Sequence, residues 1–298
     1  MCTDPLLQES ESRGDNKLRA ILAWVERMNE ALEAKTQDWI NRVVYHRKGV
    51  ERAYTNRILN VAESMALLKY HDYFAGRPVL DIGVGTGRTT RYLYPLASKY
   101  VAIDYSPVMI DQMHETMPQV PAFLCDARDL SSFQDGEFEF VLGSNNVVDA
   151  LSHEDRLRCL QEIARVLKPG GMFLFSSHNR DLAPHLRKPS ITWSRNPVDS
   201  AIRIRNWLRS MANRARVEQY QREEADYALY CDSGHDYCCI HYYIDQRVQR
   251  RQLEALGFTV LEVLDPIGQP LQPDDRDTDS HWLMYVAIAG PAGTKAAV

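Results

Sequence analysis

Residues 79–87 read Val-Leu-Asp-Ile-Gly-Val-Gly-Thr-Gly, and this stretch decides the fold. The segment from Pro78 to Ile82 has the composition of a buried strand, and a helix is expected to begin near Arg88. Glycines at positions 83, 85 and 87 have no Cβ, so the backbone between strand and helix can approach a ligand closely. This order of elements predicts a ligand-binding α/β fold.

The spacing of the glycines and one acidic residue indicate the kind of ligand. The dinucleotide fingerprint is G-x-G-x-x-G, whereas this loop reads G-x-G-x-G and is followed by Arg88. Asp81 stands just before the first glycine. Its carboxylate would repel a pyrophosphate but would suit a ligand that carries an ammonium and a sulfonium. The loop therefore points to S-adenosylmethionine and away from NAD.

A second apolar strand, Tyr100–Asp104, ends in an acid 17 residues after Gly87. In α/β cofactor folds an acid at about this distance accepts hydrogen bonds from ribose hydroxyls. Ser106 and Pro107 then open a helix, with the serine expected to cap it and the proline at its first position.

Three more segments follow in a regular order: Phe123–Ala127, Phe138–Gly143 and the Leu-Lys-Pro-Gly-Gly turn at 167–171. With the glycine loop, they make residues 76–176 resemble the cofactor half of class I S-adenosylmethionine-dependent methyltransferases of the small-molecule type. The resemblance implies an α/β fold with a doubly wound, Rossmann-like methyltransferase sheet, mostly parallel with an antiparallel last strand, N-terminal helices and a cap insertion. It also implies methyl transfer from S-adenosylmethionine, with S-adenosylhomocysteine as product.

The resemblance also assigns residues to the cofactor. The expected set follows strand ends and the glycine loop, with Tyr45 and Tyr54 supplied by helices that precede it: Asp81, Gly83, Gly85, Thr86, Gly87, Asp104, Tyr105, Met109, Asp126, Ala127, Ser144, Asn145, Tyr45 and Tyr54. Arg57 is a further candidate from the preceding helices. Ordinary packing or surface roles remain the alternative for Tyr45, Tyr54 and Arg57.

Composition excludes several classes. The chain has 298 residues and a formal net charge of −5, which disfavours general nucleic-acid binding. No signal-like N-terminus and no apolar run of about 20 residues is present, so neither secretion nor a membrane span is expected. The six cysteines contain no C-x-x-C pair, and reduced thiols in a cytoplasm are the simplest account. The oligomeric state is left open.

Periodicity divides the chain into parts. Residues 1–75 are predicted to form a helical extension, 76–180 the cofactor-binding core, 181–245 an acceptor-side cap, 246–290 a return to the sheet, and 291–298 a tail. In the extension, one long helix is expected from Lys17, with Leu18, Ile21, Leu22, Val25, Met28 and Leu32 as its apolar stripe. A second helix is expected from Gly49 to Tyr73, with Ile58, Val61, Met65 and Leu68 facing inward.

The cap insertion is predicted to hold a helix from about Val198 to Glu223. Ile204, Leu208, Met211 and Ala215 form its apolar stripe, and Arg205, Arg209 and Arg216 are either solvated or hold an anionic group of the acceptor. Residues 237–244 are expected to form a tyrosine-rich strand. Cysteines and histidines gather here, but paired Cys-x₂–₄-Cys spacing is missing, so no metal is expected. The return to the sheet comprises a helix at 246–256 and strands at 258–264 and 281–288.

The acceptor is expected at the carboxyl edge of the sheet, where ligands bind in open α/β folds. His178 is the first candidate for a general base, followed by His241; a structural or substrate-contact role is the alternative for His178. Asn146, Asn179, Tyr242 and Tyr243 are candidates for acceptor contacts. The predicted reaction methylates nitrogen or oxygen of a small molecule. The alternatives are a macromolecular or lipid acceptor and a non-catalytic, cofactor-binding scaffold.

Overall fold

A computed structural model describes residues 36–182 and 189–291, and its centre is a mostly parallel sheet. Five parallel strands lie in the order β3-β2-β1-β4-β5. They are β1 (Pro78–Ile82), β2 (Lys99–Asp104), β3 (Ala122–Leu124), β4 (Phe138–Gly143) and β5 (Leu167–Asn179). Strand β10 (Trp282–Ala289) pairs antiparallel with β5, and β9 (Phe258–Leu264) pairs with β10. The predicted fold class, including the antiparallel last strand, is confirmed.

Helices cover both faces of this sheet. Leu80 and Ile82 of β1 face helices α5 (His153–Val166) and α7 (Gln246–Ala255), while Val79 faces α2 (Val61–Lys69) and α4 (Pro107–Thr116). Parallel strands buried on both sides read as continuous apolar runs, and this is why 78–82 and 100–104 stand out in the sequence. Between β1 and β2 lies only the short helix α3 (Thr90–Leu93), which begins two residues after the predicted start at Arg88.

The length of β5 determines where the cap insertion sits. Its residues up to Phe175 pair with β4, whereas His178 and Asn179 pair with β8 (His241–Ile244). Because β10 pairs along the whole of this stretch, β4 and β8 must share the other edge of β5. β7 (Ala228–Tyr230) and β6 (Arg222–Glu223) then extend the sheet from β8. The insertion strands therefore lie beyond the carboxyl end of β4.

The segment before β1 differs from the predicted pair of helices. Helix α1 covers the described residues 36–45, and the predicted helix over 17–32 lies outside the described part of the chain. The second predicted helix, 49–73, is wrong: short 3₁₀ turns occupy Val50–Tyr54 and His71–Tyr73, and α2 lies between them. An Asn60–Glu63 capping box starts α2. The backbone carbonyls of 54, 57 and 58 instead accept hydrogen bonds from the glycine-loop region.

The buried face of α2 is also opposite to the prediction. Ile58, Val61, Met65 and Leu68 are exposed, and the residues that face the sheet are Ala62, Glu63, Ala66 and Leu67. The alanines let the helix lie close to the sheet, and Glu63 pairs with Arg88 there. A buried ion pair overrides the apolar periodicity from which the face was predicted.

In the cap, helix α6 (Pro197–Val217) ends six residues earlier than predicted, and a 3₁₀ turn follows at Glu218–Tyr220. Its predicted apolar stripe is exposed: Ile204, Leu208, Met211 and Ala215. The tyrosine-rich strand starts only at His241, because His235, Asp236 and Tyr237 have positive φ angles and form a turn. Within the described ranges, no helix combines the length and apolar character needed to cross a membrane.

Candidate functional site

A cavity of about 320 Å³ opens at the carboxyl ends of β1, β2 and β4. Thirteen of the residues predicted to hold cofactor or acceptor line it: Tyr45, Tyr54, Gly83, Gly85, Thr86, Asp104, Tyr105, Met109, Asp126, Ala127, Ser144, Asn145 and Asn146. Asp81, Gly87, His178, Asn179, His241, Tyr242 and Tyr243 lie outside this lining. Its volume falls at the lower end of the range for small-ligand pockets, roughly 300–1,000 Å³.

The three loop glycines serve different ends. A Cβ on Gly83 would come within 2.1 Å of Val147 Cγ2, and one on Gly87 within 2.7 Å of Met113 Sδ. Gly85 lines the cavity and has a φ of +56°. A Cβ on this residue would meet no atom within 4 Å. Gly83 and Gly87 are therefore required by packing. Gly85 is the position where the absence of a side chain keeps space open for a ligand.

Asp104 ends β2 and faces the cavity from a buried position. Its Oδ2 accepts a hydrogen bond from the Gly85 amide at 2.9 Å, and its Oδ1 accepts one from the Ser106 amide at 2.8 Å. Burial raises the pKa of this carboxyl to about 6, against the lowering effect of those backbone bonds. A carboxylate has about four acceptor positions, so capacity remains for ligand hydroxyls.

Asp81 has a different environment from the one expected. The hydroxyls of Thr89 and Tyr100 both donate to its Oδ2, each at 2.6 Å, and the residue is 1 % exposed. Burial raises its pKa to about 6. The side chain thus ties β1 to β2 and to the turn before α3. Ser106 also departs from its expected role, since it stands at the cap position of α4 but donates to the Tyr45 carbonyl.

A buried ion pair that was absent from the predictions borders the cavity. Arg88 donates to both oxygens of Glu63 and, at 2.6 Å, to Ser144 Oγ, and Ser144 donates to Glu63. Arg88 lines the cavity and is 9 % exposed. The signals available in the sequence were the Asn60-x-x-Glu63 capping pattern and the arginine directly after Gly87. Neither reveals that the two side chains meet.

At the β3 end, Asp126 is held by two arginines. Arg42 of α1 and Arg128 donate to its Oδ2 at 2.8 and 2.6 Å. Burial raises the pKa of Asp126, but these guanidinium groups, above all Arg128, outweigh that effect and hold it below its ordinary value. Nearby, the Tyr105 hydroxyl is buried and has no hydrogen-bond partner among the described residues. Its free polar atom and the open space at Gly85 fit a polar ligand such as an adenosyl group.

Tyr45 and Tyr54 connect the segment before β1 to the cap. The Tyr45 hydroxyl lies 3.3 Å from His241 Nε2, and the Tyr54 hydroxyl lies 2.7 Å from His235 Nε2. Thr86 also donates to the Tyr54 carbonyl at 2.6 Å. Both tyrosines therefore close the cavity from the side of the cap. Arg57 is exposed, and its carbonyl accepts from Tyr92.

His178, the last residue but one of β5, lies next to Asn146 but does not line the cavity itself. Asn146 Nδ2 lies 3.1 Å from His178 Nε2, and His178 Nδ1 lies 2.8 Å from Asp149 Oδ2. Asn146 lines the cavity and connects the imidazole to it. The side-chain amide of Asn146 therefore separates His178 from the cavity, where the acceptor was expected to bind.

The other acceptor-side candidates occupy two faces of β8. His241 and Tyr243 both bond Asp232, at 2.9 and 2.7 Å. Tyr242 points to the opposite face, where its hydroxyl meets His153 Nδ1 at 2.9 Å. His241 and Tyr243 therefore share one face of the strand and Tyr242 lies on the other, as the alternation of side chains along a strand requires. Asn179 donates to the carbonyls of 277 and 280, a loop-anchoring arrangement that leaves it 1 % exposed.

His178, Asp232 and His241 are also a group of potential metal ligands, with donor atoms within 4.8 Å of one another. The two imidazoles stack at 25° with centroids 5.2 Å apart, so their nitrogen lone pairs do not converge. Asp232 Oδ2 already accepts bonds from Tyr243 and His241. Structural zinc sites have convergent ligands about 2.0–2.3 Å from the ion. The geometry favours a hydrogen-bond network.

Comparisons with known proteins identify a methyltransferase domain in this chain. Residues 79–171 match the family model for a methyltransferase domain. An uncharacterised methyltransferase of Mycobacterium bovis is 36 % identical over 107 residues, covering 36 % of this chain and 42 % of that protein. The ubiquinone biosynthesis O-methyltransferase of Xanthomonas oryzae pv. oryzae is 33 % identical over 111 residues, covering 36 % of this chain and 45 % of its own length.

Among solved structures, the Burkholderia thailandensis 1,6-didemethyltoxoflavin-N1-methyltransferase, with bound 1,6-didemethyltoxoflavin and S-adenosylhomocysteine, superposes with a TM-score of 0.54. It is 15 % identical and the match covers 86 % of this chain and 90 % of that one. This likeness concerns the fold. The chain spans less than half the length of the curated relatives named above.

Proposed function

We propose that this chain, which contains a class I S-adenosylmethionine-dependent methyltransferase domain, transfers the methyl group of S-adenosylmethionine to nitrogen or oxygen of a small-molecule acceptor. The observation that carries the proposal is the open space above Gly85. It lies beside the carboxylate of Asp104 in a cavity that is also lined by residues of the segment before β1. A backbone that approaches this closely, with an adjacent acid, suits a ribose-bearing ligand.

Residues of this chain would hold each part of that ligand. Asp104 would accept hydrogen bonds from the ribose hydroxyls, and Tyr105, Asp126 and Ala127, which line the same cavity, would border the adenine. Arg88 lies on the glycine-loop side of the cavity, where its charge is already paired with Glu63. When bound, S-adenosylmethionine supplies a methyl group on a sulfonium, which is an activated leaving group. The protein's tasks are then to position the acceptor and exclude water.

A compact acceptor is supported by the position of the cap. β8 lies beyond the carboxyl end of β4 on the same edge of β5, and this position supports a cap on the acceptor side of the sheet. A bulky polymer would have to pass Tyr45 and Tyr54, which join the segment before β1 to the cap. The relatives named for ubiquinone and toxoflavin chemistry act on small molecules, and this supports the same class here.

An acceptor that arrives protonated needs a base, and His178 is placed for that role. Its Nε2 faces Asn146 at the edge of the cavity, and its Nδ1 contacts a buried carboxylate. A positioned general base contributes about 10²–10⁴-fold to a rate. His178→Gln should lower methyl transfer by this factor without loss of cofactor affinity.

The test is transfer of label from S-[methyl-³H]adenosylmethionine in a cell extract separated by size. Label in the fraction of small molecules supports the proposal. Label in protein, nucleic acid or lipid would instead identify a macromolecular or lipid acceptor. The control is Asp104→Ala, which should lose transfer in every fraction because the cofactor no longer binds. Cofactor binding without transfer to any fraction would favour a non-catalytic scaffold.

A further inference from the structure

Two histidine–carboxylate pairs lie face to face next to Asn146 and Tyr45, which line the cavity. One consists of His178 and Asp149 and the other of His241 and Asp232. The imidazole rings are stacked, with centroids 5.2 Å apart. Nδ1 of each ring lies close to its carboxylate, at 2.8 Å for His178 and 2.9 Å for His241, but only the His241 contact has the geometry of a hydrogen bond. The surroundings of the two carboxylates differ as well.

The carboxylate of Asp149 is already balanced by a cation. Arg156, which is fully buried, donates to its Oδ1, and Ser177 Oγ donates to the same oxygen at 2.8 Å. Its Oδ2 accepts from the His178 backbone amide at 2.6 Å. A second full positive charge on His178 would therefore find a carboxylate whose charge is largely neutralised. The contact is best satisfied by a neutral imidazole that carries its hydrogen on Nδ1.

That tautomer leaves Nε2 of His178 with its lone pair. Asn146 Nδ2 lies 3.1 Å from this nitrogen, which fits an amide that donates to it. The other side-chain polar atom of Asn146, Oδ1, is buried and has no hydrogen-bond partner among the described residues. An acceptor group that displaces the amide would meet a nitrogen able to take a proton.

Asp232 has no such arginine. Within the described ranges, its ion-pair contacts are the two histidines alone, and it is 7 % exposed. Tyr243 and the Gly234 amide donate to it at 2.7 Å each, but both are neutral. A carboxylate buried without a cation is costly. The adjacent imidazole of His241 can supply the missing positive charge.

Both nitrogens of His241 have partners that can accept a hydrogen bond from an imidazolium. Nδ1 faces Asp232, and Nε2 lies 3.3 Å from the Tyr45 hydroxyl. Burial lowers the pKa of His241, but Asp232 outweighs this and raises it well above the ordinary value. The other titratable groups around the ring are Tyr45, His178, His235, Cys239 and Tyr243.

We infer that the two stacked histidines carry different charges in the working protein: His241 is an imidazolium paired with Asp232, and His178 is a neutral, Nδ1-protonated base held by Asp149. Asp149 and Asp232 are thus positioning residues. This inference rests on the proposed function for its catalytic meaning, although the charge states stand independently of it.

The inference specifies the chemistry of the acceptor. A hydroxyl or N–H group gives its proton to His178 Nε2 as its lone pair forms the bond to the methyl carbon. The carbon–sulfur bond breaks, and sulfur keeps that electron pair as a neutral thioether. His178 afterwards returns the proton to solvent. The acceptor is therefore an O–H or N–H acid that enters protonated, in contrast to an anionic carboxylate that needs no base.

The test is NMR of the full-length protein with ¹⁵N-labelled histidine, at pH 8 with S-adenosylhomocysteine added. Among the nine histidines of the chain, the signals of His178 and His241 are assigned with the variants His178→Gln and His241→Gln, each of which removes one of them. Nitrogen shifts distinguish imidazolium from each neutral tautomer. The expected result is an imidazolium at His241 and a neutral Nδ1–H tautomer at His178. Equal charge on both rings, or hydrogen on Nε2 of His178, overturns the inference.

Two isosteric variants sharpen this test. Asp232→Asn should make His241 neutral at pH 8 while the tautomer of His178 stays the same. Asp149→Asn should change the tautomer of His178 while His241 remains charged. If either variant fails to fold, Tyr243→Phe serves in its place, because it removes a neutral bond to Asp232 and should leave His241 charged. Loss of the His241 charge in Tyr243→Phe contradicts the assignment.

Calorimetric titration with S-adenosylmethionine separates the two levels of the account. A wild-type protein that binds the cofactor but carries equal charges on the two histidines refutes this inference alone. A wild-type protein with the expected charges that does not bind the cofactor refutes the proposed function and leaves the charge assignment in place.

Discussion

The region around the glycine loop (78–104) and the cap (181–245) are held together by different kinds of interaction. On the glycine-loop side, residues 78–104 adopt the strand, loop and strand that their local sequence indicates. On the cap side, α6 exposes its apolar stripe and the tyrosine-rich segment is half turn and half strand. The segment before β1 resembles the cap in this respect, since α2 turns its predicted inner face outward.

The difference lies in which interactions determine each region. Strands of the central sheet are buried on both faces, so their composition alone identifies them. The cap and the segment before β1 are held by polar contacts between residues far apart in sequence. Asn41, for example, bonds the carbonyls of Ala150 and Ile240, both at 2.8 Å. No periodicity encodes such contacts.

The largest effect is expected from breaking the ion pair between Arg88, which follows the glycine loop, and Glu63 of α2 in the segment before β1. Glu63→Gln leaves Arg88 buried without its carboxylate, and such a loss costs about 3–5 kcal/mol of unfolding free energy. Urea unfolding monitored by circular dichroism measures it. The matched control is Glu139→Gln, whose half-exposed partners Arg77 and Lys168 predict a cost of about 0–1 kcal/mol. Equal losses of unfolding free energy in the two variants would show that the buried pair contributes no more to stability than the exposed one.

A pH-dependent effect is expected at Asp81, on the well-predicted side. Folding raises the pKa of this acid from 3.8 to about 6 because it is buried. Its contribution to stability is therefore fully present below about pH 4 and is lost as the pH rises through about 6. Asp81→Asn, which stays neutral, should be more stable than wild type at pH 8, by up to about 3 kcal/mol.

The internal control for Asp81→Asn is the same measurement at pH 4, where both side chains are neutral. The hydroxyls of Thr89 and Tyr100 can still donate to the amide oxygen. The stability difference between variant and wild type should therefore shrink as the pH is lowered. A difference that stays constant between pH 4 and pH 8 would contradict burial of a charged Asp81.

How much the sequence predicts follows the same division. The glycine loop, Asp104, the sheet and its last antiparallel strand were predicted because each rests on local composition or on a family pattern. The Glu63–Arg88 pair was missed because its two residues are 25 positions apart. Glu63 belongs to a helix-capping pattern and Arg88 follows the glycine loop, and neither pattern indicates a contact with the other. Asp149 and Asp232 were missed because their meaning depends on the imidazoles that they contact after folding. His178 was identified only by its place at a strand end.

The smallest effect is expected on the exposed stripe of α6. Leu208 is 55 % exposed, so Leu208→Ser should change the unfolding free energy by no more than about 0.5 kcal/mol. Leu160 of α5 is fully buried, and Leu160→Ala should cost about 2–5 kcal/mol. Thermal unfolding of both variants compares them directly. A large loss in Leu208→Ser would mean that the stripe is covered in solution.

The most direct measurement of the central claim is calorimetric titration of S-adenosylmethionine into wild type and two glycine variants. Gly85→Val places methyl groups in the cavity, whereas Gly170→Val adds them at another positive-φ glycine that has equally open surroundings and does not line the cavity. We predict that wild type and Gly170→Val bind one cofactor per chain and that Gly85→Val binds at least about 100-fold more weakly, a difference of about 3 kcal/mol. Equal affinity in Gly85→Val and wild type would contradict the account.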